Sequence, residues 1–296
     1  MTFAIPGREL QALEEQVQTA LRTGDDGGLT VLGYGEVTLV LGLETARGTY
    51  ACKRLPLLPG ERDLARYADR LDDYIGRLTR AGVRVAETRV WHHTLASGEV
   101  VAYCVQEALP AKRLCSTLLH SEGEAWARDF FSRFLDRVEG AVGRTLGLDA
   151  QAANWMDVDG ELVYLDVTTP LMRDERGREQ LDVRLFYRSL PWALRGPVRL
   201  TMTRSILDKF YEPRGAVLDF LGNLHKERLT RLLPAFVEQA NERLSPPLTE
   251  AETAAYYKSD ARMWELLQRL RRADRRWHRT VRRRTYPFLL PRHVRR

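Results

Sequence analysis

The stretch "GLDAQAANWMDVDGELVYLDVTTP", residues 147–170, places three polar side chains at fixed intervals inside an otherwise apolar segment. Asn154 follows Asp149 by five residues, and Asp166 follows Asn154 by twelve. Taken one at a time, Asp149 and Asn154 could cap turns and Asp166 could end a strand. Two carboxylates and an amide in one short stretch raise the question of whether they serve a common site.

The residues that precede this stretch have the pattern of a β-rich half. Leucines and a valine at helical spacing predict a first helix. Runs of β-prone residues predict three strands before a second helix and two strands after it. The expected order is a helix at 8–22, strands at 29–33, 37–44 and 49–55, a helix at 61–81, and strands at 88–95 and 99–107. The first three strands should form an antiparallel meander.

The pattern changes after residue 107. Apolar residues at four-residue intervals predict a buried helix over 124–146, which leads directly into the opening stretch. A strand is expected at 162–167, a mostly helical chain up to residue 244, and a last helix over 250–284.

Taken in order, these features resemble the protein-kinase-like fold, and more closely its small-molecule branch, the aminoglycoside and choline phosphotransferases. In that family the catalytic loop reads H-x-D-x4-N, and a D-F-G-type aspartate follows about a dozen residues later. "LDAQAAN" and "LDVTT" stand at those positions, and the resemblance covers residues 28–170 by motif. It implies a two-lobed α+β fold with a β-rich lobe over 1–107 and a helical lobe over 108–296.

The resemblance also implies roles for the opening residues. Asp149 would orient an acceptor hydroxyl and accept its proton, while Asn154 and Asp166 would hold Mg²⁺ against the phosphates of ATP. The implied reaction is ATP- and Mg²⁺-dependent phosphorylation of a hydroxyl on a small molecule, such as a sugar, an aminoglycoside or another metabolite.

The rest of the nucleotide site would come from the β-rich half. Lys53, the only lysine among the first 111 residues, would contact the α- and β-phosphates from the third strand. Gly33 and Gly35 resemble a shortened glycine-rich loop, and the main chain from Glu107 to Leu109 would form the hinge that binds adenine. Without the resemblance, Lys53 could face solvent at a strand edge and the glycines could form an ordinary hairpin.

Protein-kinase relatives pair this lysine with a glutamate on the following helix, and no glutamate lies in the middle of residues 61–81. The acidic candidates are Asp69, Asp72 and Asp73, with Glu61 at the start. We expect Asp73 to be the partner, although a solvated helix face is the more common location for such charges.

Two departures from the family pattern leave catalytic competence open. Gly147-Leu148 replaces the His-x before the catalytic aspartate, and Val167-Thr168 replaces the Phe-Gly after the metal aspartate. The alternative function is therefore a catalytically silent, nucleotide-binding scaffold, or pseudokinase. Transfer of a nucleotidyl group on the same fold is a further alternative.

Charge is concentrated at the C-terminal end. Residues 262–296 hold thirteen arginines against two acids, a balance of +11 in a chain whose net charge is +6. Such a segment could bind nucleic acid or an acidic partner, with Trp264, Trp277 and Tyr286 available for stacking. The favoured interpretation is a docked helix that packs Trp264, Leu267 and Leu270 while its arginines face water.

Composition narrows the expected location of the protein. Three cysteines without a CxxC spacing indicate neither a disulfide framework nor a zinc ribbon. The first residues do not resemble a secretory signal, and no apolar run reaches the length of a membrane span. We expect a cytoplasmic protein with no membrane partner.

Overall fold

The computed structural model describes residues 3–34, 39–181 and 207–290. Within these ranges the fold is α+β, with a sheet-rich N-terminal part and a helical C-terminal part. The N-terminal elements are α1 (Gly7–Thr23), β1 (Val31–Tyr34), β2 (Leu39–Thr45), β3 (Gly48–Arg54), α2 (Glu61–Arg80), β4 (Arg84–Val85), β5 (Arg89–Thr94) and β6 (Val100–Glu107).

Five of these strands form one antiparallel sheet in the order β1-β2-β3-β6-β5. Strand β3 lies at its centre, so Lys53 stands opposite Val40 of β2 and Cys104 of β6. The predicted meander is confirmed, and so is the predicted order of the N-terminal strands and helices, apart from β4. The two-residue strand β4 was not predicted, because it is too short to show an alternating pattern.

Helix α1 covers the outer face of this sheet. Its buried residues Leu10, Leu13 and Val17 pack with Cys52 and Val101 in one apolar cluster. The helix also carries a buried carboxylate into this interface. Glu14 Oε1 and Oε2 accept hydrogen bonds from Arg54 Nη2 at 2.8 Å and Arg54 Nε at 2.9 Å, and the hydroxyl of Tyr103 donates to Oε2 at 2.6 Å.

Helix α2 packs on the other face of the sheet and joins the two parts of the chain. The side chains of its buried stripe recur every three or four residues, as expected for an amphipathic helix, and belong to the same cluster as the apolar residues of the C-terminal helices. The stripe consists of Leu64, Tyr67, Leu71, Tyr74 and Leu78. Gly82, at φ +82°, allows the left-handed turn that ends the helix.

The C-terminal part begins after a short 3₁₀ turn. Its elements are α3 (Cys115–Ser121), α4 (Glu124–Ala141), β7 (Trp155–Val158), β8 (Glu161–Tyr164), α5 (Pro213–Lys226), α6 (Leu233–Asn241) and α7 (Glu250–Thr280). A second sheet, of order β4-β8-β7, connects the two parts because β4 pairs with β8 in parallel.

Three boundaries in this part differ from expectation, and one of them is the end of α7, which lies at Thr280 and not at 284. The chain was also expected to be mostly helical from residue 171, but residues 171–181 form turns and isolated bridges, and residues 182–206 lie outside the described ranges.

Helix α4 ends at Ala141 and not at 146, because Gly143 and Leu146 exchange backbone hydrogen bonds in a tight turn. Strand β8 ends at Tyr164 and not at 167, because its pairing with β4 and with β7 does not extend beyond Tyr164. Asp166 therefore lies in a loop beyond the strand.

Helix α7 starts at a capped N-terminus, where Thr249 Oγ1 accepts the backbone N–H of Glu252 at 3.1 Å. It packs mainly on α5. Trp264 is buried as expected, whereas Leu267 and Leu270 are partly exposed and Arg271 is buried, so the arginines do not all face water. In the described ranges, no helix combines the length and the apolar character that crossing a membrane requires.

The first prediction concerns the buried ion pair under α1. Glu14→Gln should lower the free energy of unfolding by about 3 to 5 kcal/mol, since it leaves the buried Arg54 guanidinium without a counter-charge. Urea denaturation near neutral pH measures this. Glu15→Gln, an exposed neighbour on the same helix, is the control and should change stability by less than about 0.5 kcal/mol.

The same pair should show a characteristic pH dependence. Burial acts to raise the pKa of Glu14, but the hydrogen bonds and charge of Arg54, with Tyr103 and Gln18, bring that pKa below its ordinary 4.5. A depressed carboxylate pKa stabilises the fold above the unfolded pKa, and this contribution is lost as pH falls through the folded pKa. The difference between wild type and Glu14→Gln should therefore shrink in acid; a constant difference would contradict the assignment.

Candidate functional site

The loop that carries Asp149 is fixed by hydrogen bonds to its main chain. Asn154 Nδ2 donates to the backbone carbonyl of Asp149 at 3.0 Å, and the hydroxyl of Tyr164 donates to the same carbonyl at 3.2 Å. The hydroxyl of Tyr74 donates to the carbonyl of Gly147 at 2.9 Å. Three side chains from different elements thus hold the loop, and the structure brings Asp149 and Asn154 together.

A cation from the sheet reaches the second predicted loop. Lys53 Nζ donates to Asp166 Oδ1 at 2.6 Å, across 113 residues of sequence. The hydroxyl of Thr168 donates to the same oxygen at 3.0 Å. The Lys53 and Asp166 side chains are 17% and 22% exposed, so the pair is mostly buried yet still reached by solvent.

The surroundings of Asp166 keep it ionised. Burial acts to raise the pKa of this carboxyl, but the charge and hydrogen bond of Lys53 and the hydrogen bonds of Thr168 lower the pKa below its ordinary 3.8. An anionic carboxylate with a cation beside it is the result near neutral pH.

Helix α2 supports both loops through two tyrosines. The hydroxyl of Tyr67 donates to the carbonyl of Thr168 at 3.0 Å and lies 3.4 Å from Cys104 Sγ, while Tyr74, seven residues further along, holds Gly147. Both rings are buried. From the sequence, these tyrosines counted only as apolar positions of the helix. Their hydroxyl groups, placed in a buried stripe, were the signal that they could hold other segments by hydrogen bonds, because a buried tyrosine hydroxyl usually finds a partner.

The acid that we expected to pair with Lys53 does not do so. Asp73 accepts hydrogen bonds at 3.1 Å from Nε of Arg77, which lies one turn later on α2. Asp69 and Asp72 are exposed, and Glu61 accepts a hydrogen bond from Thr94. The face of α2 that points toward the loops carries tyrosines, so the carboxylate beside Lys53 is Asp166.

The proposed hinge runs from Glu107, whose side chain is exposed, to the half-buried Leu109. The N–H of Ala108 between them donates to the carbonyl of Thr49 at 2.9 Å, so this amide is already used inside the protein. Just before the hinge, Gln106 Nε2 donates to the carbonyl of Leu165 at 2.8 Å. The hinge strand is therefore tied directly to the residue that precedes Asp166.

Of the two glycines predicted to form a phosphate-binding loop, Gly33 lies within the described residues. Gly33 lies on β1 opposite Val40, next to an irregularity in the pairing, and a Cβ atom there would meet no atom within 4 Å. The protein itself thus leaves room for a side chain at Gly33. Gly35 lies outside the described residues.

A turn formed by Lys209–Tyr211 supports the Asp149–Asn154 loop from the C-terminal side. The carbonyl of Phe210 accepts the N–H of Leu148 at 3.0 Å. Lys209 Nζ donates to the buried Asp219 Oδ1 at 2.7 Å and to the hydroxyl of Tyr256 at 2.6 Å, and Tyr256 itself donates to Asp219. Helices α5 and α7 therefore fix the position of this turn.

The same turn limits the space at Gly147, the position at which the kinase-like motif has histidine. A Cβ atom at Gly147 would lie 3.0 Å from the carbonyl oxygen of Phe210, 3.1 Å from Leu171 Cβ and 3.2 Å from the ring of Tyr211. There is little space for a histidine side chain at this position. Tyr74 and Tyr164 instead hold the loop through its carbonyl groups.

The donor set suits a hard cation better than a soft one. Among the described residues, no three His, Cys, Asp or Glu side chains come together as a metal site. Asp166 is an ionised carboxylate, and the amide oxygen of Asn154, whose Nδ2 donates to the carbonyl of Asp149, could serve as a second oxygen ligand. Mg²⁺ is usually bound by one or two protein oxygens, and phosphate oxygens and water complete its coordination.

Comparison with known proteins places this arrangement in a family. A family model described as "Family of unknown function (DUF6206)" matches residues 12–275. The chain belongs to this DUF6206 family. The matched range contains Lys53, Asp149, Asn154 and Asp166, so the loops described above lie within the family region. No curated protein matches the chain.

The second prediction tests the Lys53–Asp166 contact in this DUF6206 member. Lys53→Met should lower the free energy of unfolding by about 2 kcal/mol near neutral pH, somewhat less than for a fully buried pair, because Asp166 loses its counter-charge. Urea denaturation measures the loss. Arg77→Met removes the cation of the more exposed Asp73 pair and should cost less than about 1 kcal/mol.

Acid should reduce the effect of Lys53→Met. In wild type the pKa of Asp166 is depressed, so the contribution of the pair is present above the unfolded pKa and is lost as pH falls through the folded pKa. In the variant, burial is no longer opposed by Lys53, so Asp166 takes up its proton at higher pH. Equal losses for the Lys53 and Arg77 variants at every pH would contradict this account.

Proposed function

We propose that this protein is an ATP- and Mg²⁺-dependent phosphotransferase of the protein-kinase-like type, acting on a hydroxyl of a small molecule. In this proposal the sheet-rich part and the helical part are the two lobes, with nucleotide in the cleft between them. The observation that carries it is the 2.6 Å contact between Lys53 Nζ and Asp166 Oδ1, which joins the central strand β3 to the loop after β8.

Several features support a phosphate-binding centre at this contact. The lysine lies on a rigid strand with hydrogen-bonded neighbours on both sides, as suits a point charge that must stay near phosphates. The Asp149–Asn154 loop and the Asp166–Thr168 loop are anchored to the same helix, α2, by Tyr74 and Tyr67. A cation, a base and two oxygen ligands are thus carried on mutually supported elements.

Phosphoryl transfer gives each side chain a task. Asp149 would orient the acceptor hydroxyl and take up its proton, and Lys53 would turn from Asp166 toward the α- and β-phosphates when nucleotide binds. Asp166 and the amide oxygen of Asn154 would hold Mg²⁺. The metal would supply positive charge that offsets the charge developing on the transferred group. Because the protein mainly positions groups, rigid anchoring of both loops favours this chemistry.

The second candidate is a nucleotide-binding scaffold without catalysis. It is favoured by the way in which Asp166 Oδ1 is engaged, since Lys53 and Thr168 both donate to this oxygen. Thr168 stands where the kinase-like D-F-G motif has glycine, and its hydroxyl would compete with a metal for the carboxylate. In this version the nucleotide would bind with little dependence on Mg²⁺ and would not be consumed.

The third prediction separates these functions. ATP with Mg²⁺ should raise the thermal unfolding temperature, and at 100 times the dissociation constant the added stability should be about 2.7 kcal/mol. Asp166→Asn should abolish the Mg²⁺-dependent part of the shift. Asp149→Asn should keep the shift but lose the release of ADP in the presence of a panel of sugars and aminoglycosides, because it removes the base and leaves the phosphate contacts.

Asp72→Asn is the matched control, since it removes one exposed carboxylate of α2 that has no task in the proposal. It should behave as wild type. A shift that is independent of Mg²⁺ and unaccompanied by ADP release would favour the silent scaffold. No shift with any nucleotide would exclude both functions.

A further inference from the structure

The exposed apolar side chains of the protein are concentrated on one helix. In the described part of the chain, five large apolar residues are exposed, and three of them lie on α7: Met263 at 48%, Leu266 at 52% and Trp277 at 46%. A fourth, Val281 at 56%, is the C-cap residue of the same helix. Scattered exposed apolar residues are ordinary, whereas a contiguous group marks an interaction surface.

These residues belong to a heptad pattern. Starting at Met263, apolar or small residues follow at alternating intervals of three and four, which is the spacing of the a and d positions of a coiled coil. The positions are Met263, Leu266, Leu270, Ala273, Trp277 and Thr280. This row, the α7 seam, spans 18 residues, or about 27 Å of helix.

The seam points away from the body of the protein. The buried residues in this half of α7 are Trp264, Gln268, Arg271 and Asp274, which occupy another sector of the helix surface. All six seam positions are exposed or only partly buried. Helix α7 thus has two apolar-containing faces, one that packs on the protein and one that does not.

Arginines line one edge of the seam at intervals of seven. Arg262, Arg269 and Arg276 each directly precede an a position, which makes them the g residues of the heptads. Arg262 and Arg276 are exposed. Arg269 lies 3.6 Å from Glu265, an exposed contact of small energetic weight. Residues at e and g select the partner of a coiled coil by charge, so this edge selects negative charge.

We propose that the α7 seam is a docking surface for an acidic amphipathic helix of another protein. The partner would place apolar side chains at its own a and d positions between those of the seam, and Glu or Asp at heptad intervals opposite Arg262, Arg269 and Arg276. This inference does not depend on the proposed function, since no residue of the seam belongs to the candidate site.

Other occupants fit the surface less well. A second copy in antiparallel orientation would bring arginine edges together, and in parallel orientation Arg269 would need Asp274, which is buried. Nucleic acid would meet the arginines but leave the apolar row in contact with water or phosphate. A bilayer would favour basic residues on both sides of the apolar row, and here they line one side only, with the body of the protein on the other.

The test uses the full-length protein and synthetic peptides of about three heptads. The acidic peptide has Leu at a and d and Glu at e and g; one control peptide has Lys at e and g, and a second has Ser at a and d. We expect the acidic peptide alone to bind in fluorescence anisotropy, with an affinity that falls at least tenfold between low and high salt.

Matched variants assign the binding to the seam. Leu266→Asn with Trp277→Asn should weaken binding of the acidic peptide at least tenfold, while Leu32→Asn, at an equally exposed leucine on β1, should not. Replacing Arg262, Arg269 and Arg276 by Gln should also weaken binding at least tenfold. Glutamine at the exposed arginines Arg8, Arg47 and Arg80, which removes the same net charge, should have little effect.

Four results would overturn the inference. One is no binding of the acidic peptide at low ionic strength, and another is equal binding by the seam variants. A dimer in sedimentation that Leu266→Asn with Trp277→Asn abolishes would make the occupant a second copy. Binding to phosphatidylserine vesicles or to duplex DNA, lost in the same variants and not accompanied by binding of the acidic peptide, would assign the surface to lipid or nucleic acid. None of these four results bears on the nucleotide-dependent thermal shifts, so failure of this inference can be told apart from failure of the proposed function.

Discussion

Two consecutive cations on the central strand β3 bind the sheet to its surroundings on both faces. Because side chains alternate along a strand, Lys53 and Arg54 point in opposite directions. Lys53 reaches Asp166 from the C-terminal part, and Arg54 reaches Glu14 of α1. A shift of β3 by one residue in its pairing would exchange the two faces and break both ion pairs at once. The register of β3 is therefore the constraint on which the candidate site and the N-terminal packing both depend.

Helix α2 carries tyrosines on the face where the resemblance to kinase-like proteins implied an acid. No acid of α2 pairs with Lys53; instead Tyr67 and Tyr74 hold the two loops by their carbonyl groups. A buried tyrosine hydroxyl that donates to a carbonyl fixes the backbone without adding charge. Because these donors are neutral, they add no charge beside the Lys53–Asp166 pair. Under our proposal, nucleotide binding would therefore exchange this single ion pair.

The secondary structure of the N-terminal part could be predicted because alternation and helical periodicity are local properties of the sequence. The 61–81 pattern, for example, gave α2 almost to the residue. The partner of Lys53 could not be predicted in the same way, since Asp166 lies 113 residues away and the nearer acid, Asp73, is satisfied by Arg77 within its own helix. The apolar stripe marked Tyr67 as a buried position, but it did not show which carbonyl group the hydroxyl would reach.

The proximity of Asp149 and Asn154 was predictable for a different reason. They lie in one loop, five residues apart, so local geometry suffices to bring them together, and Asn154 Nδ2 does bind the carbonyl of Asp149. The end of β8 was harder to place, because strand length depends on where the partner strands stop. The extra strand β4, two residues long, sets that limit by pairing with Val163 and Tyr164.

Helix α7 links the remaining features. Near its start, Tyr256 completes the hydrogen bonds around Lys209 and Asp219 that support the turn behind the Asp149–Asn154 loop. Near its end, Arg279 Nη2 donates to the carbonyl of Arg22 at 2.7 Å, in the last turn of α1. One rigid helix thus contacts both the C-terminal support of the candidate site and the helix that covers the sheet. A partner seated on the α7 seam would bind between these two anchor points. It would influence the site only if it favoured one arrangement of those anchors over another, since a ligand shifts an equilibrium by its differential affinity alone.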